Sequence, residues 1–193
     1  YAEDVSVSEI AQSVGTPFYV YSTATLVRHF QLFDDALDGM DYCICYAMKA
    51  ASNQAILKTL GNLGAGMDVV SGGEYRRAIS AGIPPEKVVF SGVGKTLEEI
   101  TLALQNGIRQ FNVESDSELE QISAIASSMN KIAPIAIRIN PDVDAQTHEK
   151  IATGKAENKF GIPISRARDV YSKASQMPGI SVVGIDLHIG SQL

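Results

Sequence analysis

Lys49 closes an otherwise apolar run, Tyr42-Cys43-Ile44-Cys45-Tyr46-Ala47-Met48. A lysine at the mouth of a packed strand is partly desolvated, which favours its neutral, nucleophilic amine. Schiff-base chemistry with a carbonyl compound requires such an amine. The same spacing also suits a lysine whose stem lies on apolar surface while its ammonium reaches water. Other apolar runs end on polar residues too: Asp68, Glu114, Arg138 and Asn140, and His188 followed by Gly190-Ser191. Asp68 either pairs with a cation or caps a helix beginning near Gly72. Arg138 needs a partner, from a ligand or a side chain, because an unpaired buried charge is costly. His188 offers a flat ring and a proton, or is a hydrogen-bonded structural residue. Ser71-Gly72-Gly73 and Gly190-Ser191 offer backbone N–H groups suited to a phosphate.

Other chemistries lack their residues. No G-x-S-x-G occurs, and His29, His148 and His188 are too scattered for a zinc signature such as H-E-x-x-H, so no metal site is expected. Gly92-Val93-Gly94-Lys95-Thr96 has part of a phosphate loop, but Val89 stands where the first glycine should be. Cys43 and Cys45 face the same way on a strand and are expected as small buried thiols, not a disulfide.

The elements that must position these residues alternate. Strands are predicted over residues 43–48, 67–70, 88–91, 110–114, 135–140 and 182–189. Several are nearly continuous β-branched runs, as in parallel strands buried on both faces. Helices are predicted over 22–37, 53–63, 72–81, 97–106, 115–129 and 165–176, from apolar residues at helical spacing. Strand starts recur at the period of a βα unit until a polar insert at 141–163. The first strand–helix turn, Lys49-Ala50-Ala51-Ser52-Asn53, lacks the glycines of a dinucleotide-binding sheet. A (β/α)8 barrel is therefore favoured over an open doubly wound sheet, with about six of its eight units present. Residues 1–37 form an N-terminal strand, at 17–21, and a helix; residues 38–193 form the partial barrel.

The 193 residues carry a net charge of −6, which argues against a nucleic-acid surface. Hydrophobic residues make up 45%, enough for a sizeable core, yet no run is long enough to span a membrane. Tyr1-Ala2-Glu3-Asp4 is not a signal peptide, so a cytoplasmic protein is the expectation.

Taken in order, the strand-end motifs resemble the fold-type III, alanine-racemase-like decarboxylases that use pyridoxal 5′-phosphate. The motifs are Tyr46-Ala47-Met48-Lys49-Ala50, Asp68-Val69-Val70-Ser71-Gly72-Gly73-Glu74, Phe90-Ser91-Gly92-Val93-Gly94-Lys95, Asn112-Val113-Glu114-Ser115, Arg138-Ile139-Asn140-Pro141 and His188-Ile189-Gly190-Ser191-Gln192-Leu193. Ala51 departs from the asparagine usual there in the family. Thr147-His148-Glu149-Lys150 and Asn158-Lys159-Phe160-Gly161 resemble the diaminopimelate branch more than the ornithine branch. The resemblance implies decarboxylation of an amino acid, in that branch meso-2,6-diaminopimelate to L-lysine, by a homodimer. It implies Lys49 as the covalent anchor of the cofactor and His188 stacked on its ring. Asp68 and Arg138 would belong to the polar shell, and Ser191 would lie near the phosphate. An ornithine- or arginine-type decarboxylase and a non-catalytic cofactor carrier share the same barrel. The residues seen here amount to part of a pocket, so the 193-residue chain alone is expected to be inactive.

Overall fold

A computed structural model describes residues 1–143 and 160–190. Seven parallel strands make one sheet: β1 Cys45–Ala47, β2 Gly66–Val69, β3 Val88–Phe90, β4 Gln110–Val113, β5 Ala133–Asn140, β6 Ile162–Pro163 and β7 Ile180–Asp186. β1 to β5 lie side by side in chain order, and β7 follows β5. Among the described residues the two-residue β6 pairs with the end of β5 alone, Ile139 with Ile162 and Asn140 with Pro163. Right-handed crossovers joining strands in unbroken order put every connecting helix on one face. A doubly wound sheet reverses its order at a switch point, and no reversal occurs here. The sheet is thus an arc of a barrel, as the sequence predicts.

The helices are α1 Val7–Val14, α2 Thr23–Ala36, α3 Gln54–Asn62, α4 Gly72–Ser80, α5 Leu97–Gln105, α6 Asp116–Ser128 and α7 Ala167–Ala174. Consecutive helices from α2 to α6 touch one another, forming the outer layer. Side-chain alternation along each strand divides the two faces. Met67, Val69, Val88, Phe90, Phe111, Val113, Ile135, Ile137 and Ile139 point toward the helices and are fully buried. Ile56, Leu57 and Leu60 of α3, Ile100 and Leu104 of α5, and Leu119 and Ile122 of α6 close over them. Phe90 and Phe111 stack with centroids 6.2 Å apart. The opposite face carries the polar side chains.

Capping fixes where strands give way to helices. Asn53, Ser71, Thr96 and Ser115 each accept a backbone N–H of the first turn that follows. Asp68 is therefore not the cap of α4, since Ser71 is.

Several features differ from the sequence reading. α1 was not expected, although Ser6 and Glu9 form a capping box at its start. Residues 17–21 make no strand pair among the described residues, and Tyr19 is 91% exposed. The insert contributes β6, while residues 144–159 and 191–193, with Ser191, lie outside the described residues. No described helix is long and apolar enough to cross a membrane.

Candidate functional site

The C-terminal ends of the strands open on a cavity of about 670 Å³. Its wall is the inner-face alternation read strand by strand: Cys45, Ala47 and Lys49, then Asp68 and Val70, Val89 and Ser91, Asn112 and Glu114, Arg138, and Asp186 and His188. Of the residues expected to act, Lys49, Asp68, Arg138 and His188 meet here.

Lys49 sits one residue past Met48, on a turn closed by Ala50 N–H donating to Ala47 O at 3.1 Å. β1 pairs with β2 alone among the described residues. Lys49 is accordingly exposed at the cavity rim rather than partly desolvated, because no strand stands on its other side.

Asp68 is held by a directed chain. Gln110 Nε2 donates to Asn112 Oδ1 at 2.9 Å, Asn112 Nδ2 to Ser91 Oγ at 3.0 Å, and Ser91 Oγ to Asp68 Oδ1 at 2.6 Å. Burial pushes the Asp68 carboxyl up, while the Ser91 bond and the Lys49 cation pull it down.

Arg138 finds its partner in Glu114, Nη1 to Oε1 at 2.8 Å, and the pair is almost wholly buried. Gly92 N–H also donates to Glu114 Oε1 at 3.1 Å, whereas Glu114 Oε2 has no hydrogen-bond partner among the described residues. The Phe160 ring centroid lies 5.3 Å from Arg138 Cζ, a cation–π contact. Gly161 permits it: at φ +76° a Cβ would stand 3.0 Å from Arg138 O. Asp186 faces the same guanidinium, and burial pushes its carboxyl up against that cation. His188 is held below the ordinary imidazole value, first by burial and then by the Arg138 and Lys49 charges. A neutral ring is thereby favoured.

Two turns expected to suit phosphate differ in availability. Gly72 N–H is already given to Glu99 Oε1 at 2.6 Å. Gly190 lines the cavity and is buried. Lys95, from the partial phosphate loop, turns inward to Glu118 Oε1 at 2.5 Å and to the Gly92 and Asn112 carbonyls, both at 2.7 Å. That leaves no lysine for a nucleotide phosphate in this turn.

The donor set suits pyridoxal phosphate. Lys49 offers an amine for an aldehyde, His188 a flat neutral ring, and the orphaned Glu114 oxygen an unused acceptor. Ser91, Asn112 and Asp186 were not among the site residues expected. Strand alternation was the available signal, since each lies two residues from a strand-end polar residue or on the inner face of its strand.

Residues 23–193 match the family described as pyridoxal-dependent decarboxylase, pyridoxal binding domain. Over its full length the chain is 54% identical to diaminopimelate decarboxylase of Haemophilus influenzae, covering 46% of that protein. It is 50% identical to the enzyme of that name from Pseudomonas aeruginosa, again covering all of this chain and 46% of the relative. The crystal structure of diaminopimelate decarboxylase from Helicobacter pylori complexed with L-lysine superposes with a TM-score of 0.94 at 45% identity, over 97% of this chain and 48% of that one. The chain thus spans about half the length of the curated relatives it matches.

Proposed function

The chain belongs to the pyridoxal-dependent decarboxylases, and from that premise we propose that it is the cofactor-anchoring part of an enzyme converting meso-2,6-diaminopimelate to L-lysine and CO2. The observation that carries this reading is Lys49 on the rim of a cavity also lined by Asp68, Arg138 and His188. Identity near half with relatives named for this activity supports the substrate over ornithine or arginine.

When bound, pyridoxal phosphate supplies an electron sink for the electrons left behind as CO2 departs. The chain's own residues have the remaining roles. Lys49 would hold the cofactor through its side-chain amine, which is exposed at the rim of the cavity. Asp68, kept an acceptor by Ser91, holds negative charge facing the Lys49 cation. His188 presents a neutral ring to lie against the cofactor. Arg138 is fixed by Glu114 and Phe160, so its charge stays at one place in the wall. Ser191, outside the described residues, would lie near the phosphate as the resemblance implies. A homodimer in the cytoplasm fits the resemblance, and a sedimentation mass of one protomer would overturn that part.

Borohydride reduction of the holoprotein should fix a pyridoxyl group on Lys49, located by peptide mapping. A label on another lysine would overturn the assignment. In a protein that carries this chain at the full length of the relatives, turnover of meso-diaminopimelate well above that of ornithine is the expected outcome of a paired assay.

A further inference from the structure

β7 changes face partway along its length. Ile180 and Val182 pack against the helix-side core, whereas Asp186 and His188 line the cavity. All four are even-numbered, and a regular strand keeps residues two apart on one face. The pairing with β5 locates the change. Ile135 pairs with Val182, Ala136 with Gly184, Ile137 with Ile185 and Arg138 with Asp186, so Val183 has no partner on β5. This is a one-residue bulge, a device that is rare between parallel strands.

The bulge decides what the cavity contains. The start of β7 is fixed, since Ala133 N–H donates to Gly179 O at 2.8 Å and Ala133 pairs with Ile180. With regular pairing from there, Arg138 would face Ile185 and Asn140 would face Leu187. Asp186 and His188 would then point to the helix side. The extra residue turns both into the wall beside Arg138.

A bulge interrupts the strand ladder, and one side chain stands at the interruption. Tyr171 on α7 packs against the core, and its hydroxyl donates to Gly184 O at 2.9 Å, one residue past Val183. Burial, the largest influence, pushes the phenol up; the Ile137 N–H beside it pulls it down, and Asp186 adds to the rise. The net rise keeps the hydroxyl a neutral donor. The phenol thus stands between Ile137 of β5 and Gly184 of β7, where the two strands lose their regular register.

We propose that Tyr171 is a positioning residue: its hydroxyl clamps the β7 bulge from the helix side and thereby holds Asp186 and His188 in the cavity wall. Tyr171 is not part of the cavity lining, so it acts only through β7. Where the test uses bound cofactor it rests on the function proposed above; where it uses the backbone it does not.

Tyr171→Phe removes the hydroxyl and keeps the ring. In a protein that carries this chain at the full length of its relatives, the visible circular dichroism of bound pyridoxal phosphate should fall at least about twofold, and kcat/KM at least about fivefold, as for loss of one hydrogen bond. Parent-like values of either quantity overturn the proposal. Melting curves establish that the variant is folded, and Tyr171→difluorotyrosine replaces it if it is not. That side chain keeps the shape but ionises at lower pH, and a phenolate cannot donate to Gly184 O. Its cofactor dichroism should be lost reversibly, relative to the parent, as pH rises through the phenol titration; a parent-like curve overturns the clamp. Hydrogen exchange over residues 180–188 needs no cofactor. It should quicken at least about fivefold in Tyr171→Phe, with β2 and β3 unchanged. Equal exchange overturns the clamp whatever the parent binds. A parent without a cofactor signal overturns the proposed function instead, and exchange alone then decides the clamp.

Discussion

Asp68 brings a carboxylate to a wall where burial opposes its charge. The opposing influence is directional. Gln110 orients the Asn112 amide, Asn112 donates to Ser91, and the single Ser91 proton is left pointing at Asp68. A hydrogen bond to the charged form favours that form. Ser91→Ala should therefore raise the Asp68 pKa and move the acid limb of the kcat/KM profile to higher pH. A lost charge-assisted bond of about 1–2 kcal/mol corresponds to a fall of roughly tenfold in kcat/KM near neutrality. Ser91→Thr, which keeps the hydroxyl, should restore both the rate and the profile. An unmoved acid limb in Ser91→Ala would refute the role. Lys49, Asp68, Arg138 and His188 were legible as cavity-lining residues because each is an ionisable side chain at or near the end of an apolar run. Ser91 and Asn112 were less so, because uncharged side chains in a buried run give little contrast. Only their alternation with Phe90, Phe111 and Val113 marks them as facing the cavity.

The βα elements were legible to within a few residues because their ends are chemically marked. Asn53, Ser71, Thr96 and Ser115 cap the helices, and β2 and β4 stop two residues before Ser71 and Ser115. α1 carries the same kind of mark in Ser6 and Glu9, and Val7, Ile10, Ala11 and Val14 fall at helical spacing, so it was readable in the sequence although it buries no residue. Lys95 was misleading in sequence, since a lysine after glycines suits a phosphate. Its three bonds instead tie the β3–α5 turn to β4 and to the first turn of α6. The Lys95 side chain is fully buried and that of Glu118 nearly so. Removing one partner strands the other charge, at a cost of about 3–5 kcal/mol. Lys95→Ala should lower unfolding free energy by that amount in denaturant titrations of the holoprotein. Lys95→Met combined with Glu118→Leu should recover most of it, because similar volume is kept and no charge remains buried. A Lys95→Ala protein within about 0.5 kcal/mol of the parent would show the tie to be unimportant.

At the scale of the whole molecule, the described sheet has unpaired edges at β1 and β7. Val183 and Ile185 within β7 and Leu187 just past it are 53%, 57% and 55% exposed, although their types and alternation suit a covered face. Leu32 and Phe33 on α2 are similarly exposed at 61% and 56%. Unpaired edges invite strand addition, and contiguous apolar surface of this kind drives association. The curated relatives are about twice as long as this chain. The sheet order is that of a barrel, and closing one would cover both edges. The 193-residue chain on its own should therefore bind a hydrophobic dye strongly and sediment as concentration-dependent associates. It should release no CO2 from meso-diaminopimelate, even with saturating pyridoxal phosphate. A protein that carries this chain within the full length of its relatives should be dye-silent and active under the same conditions. A dye-silent, monodisperse 193-residue chain with measurable turnover would mean that the exposed faces are tolerated and that the cavity lined by Lys49, Asp68, Arg138 and His188 suffices for the reaction.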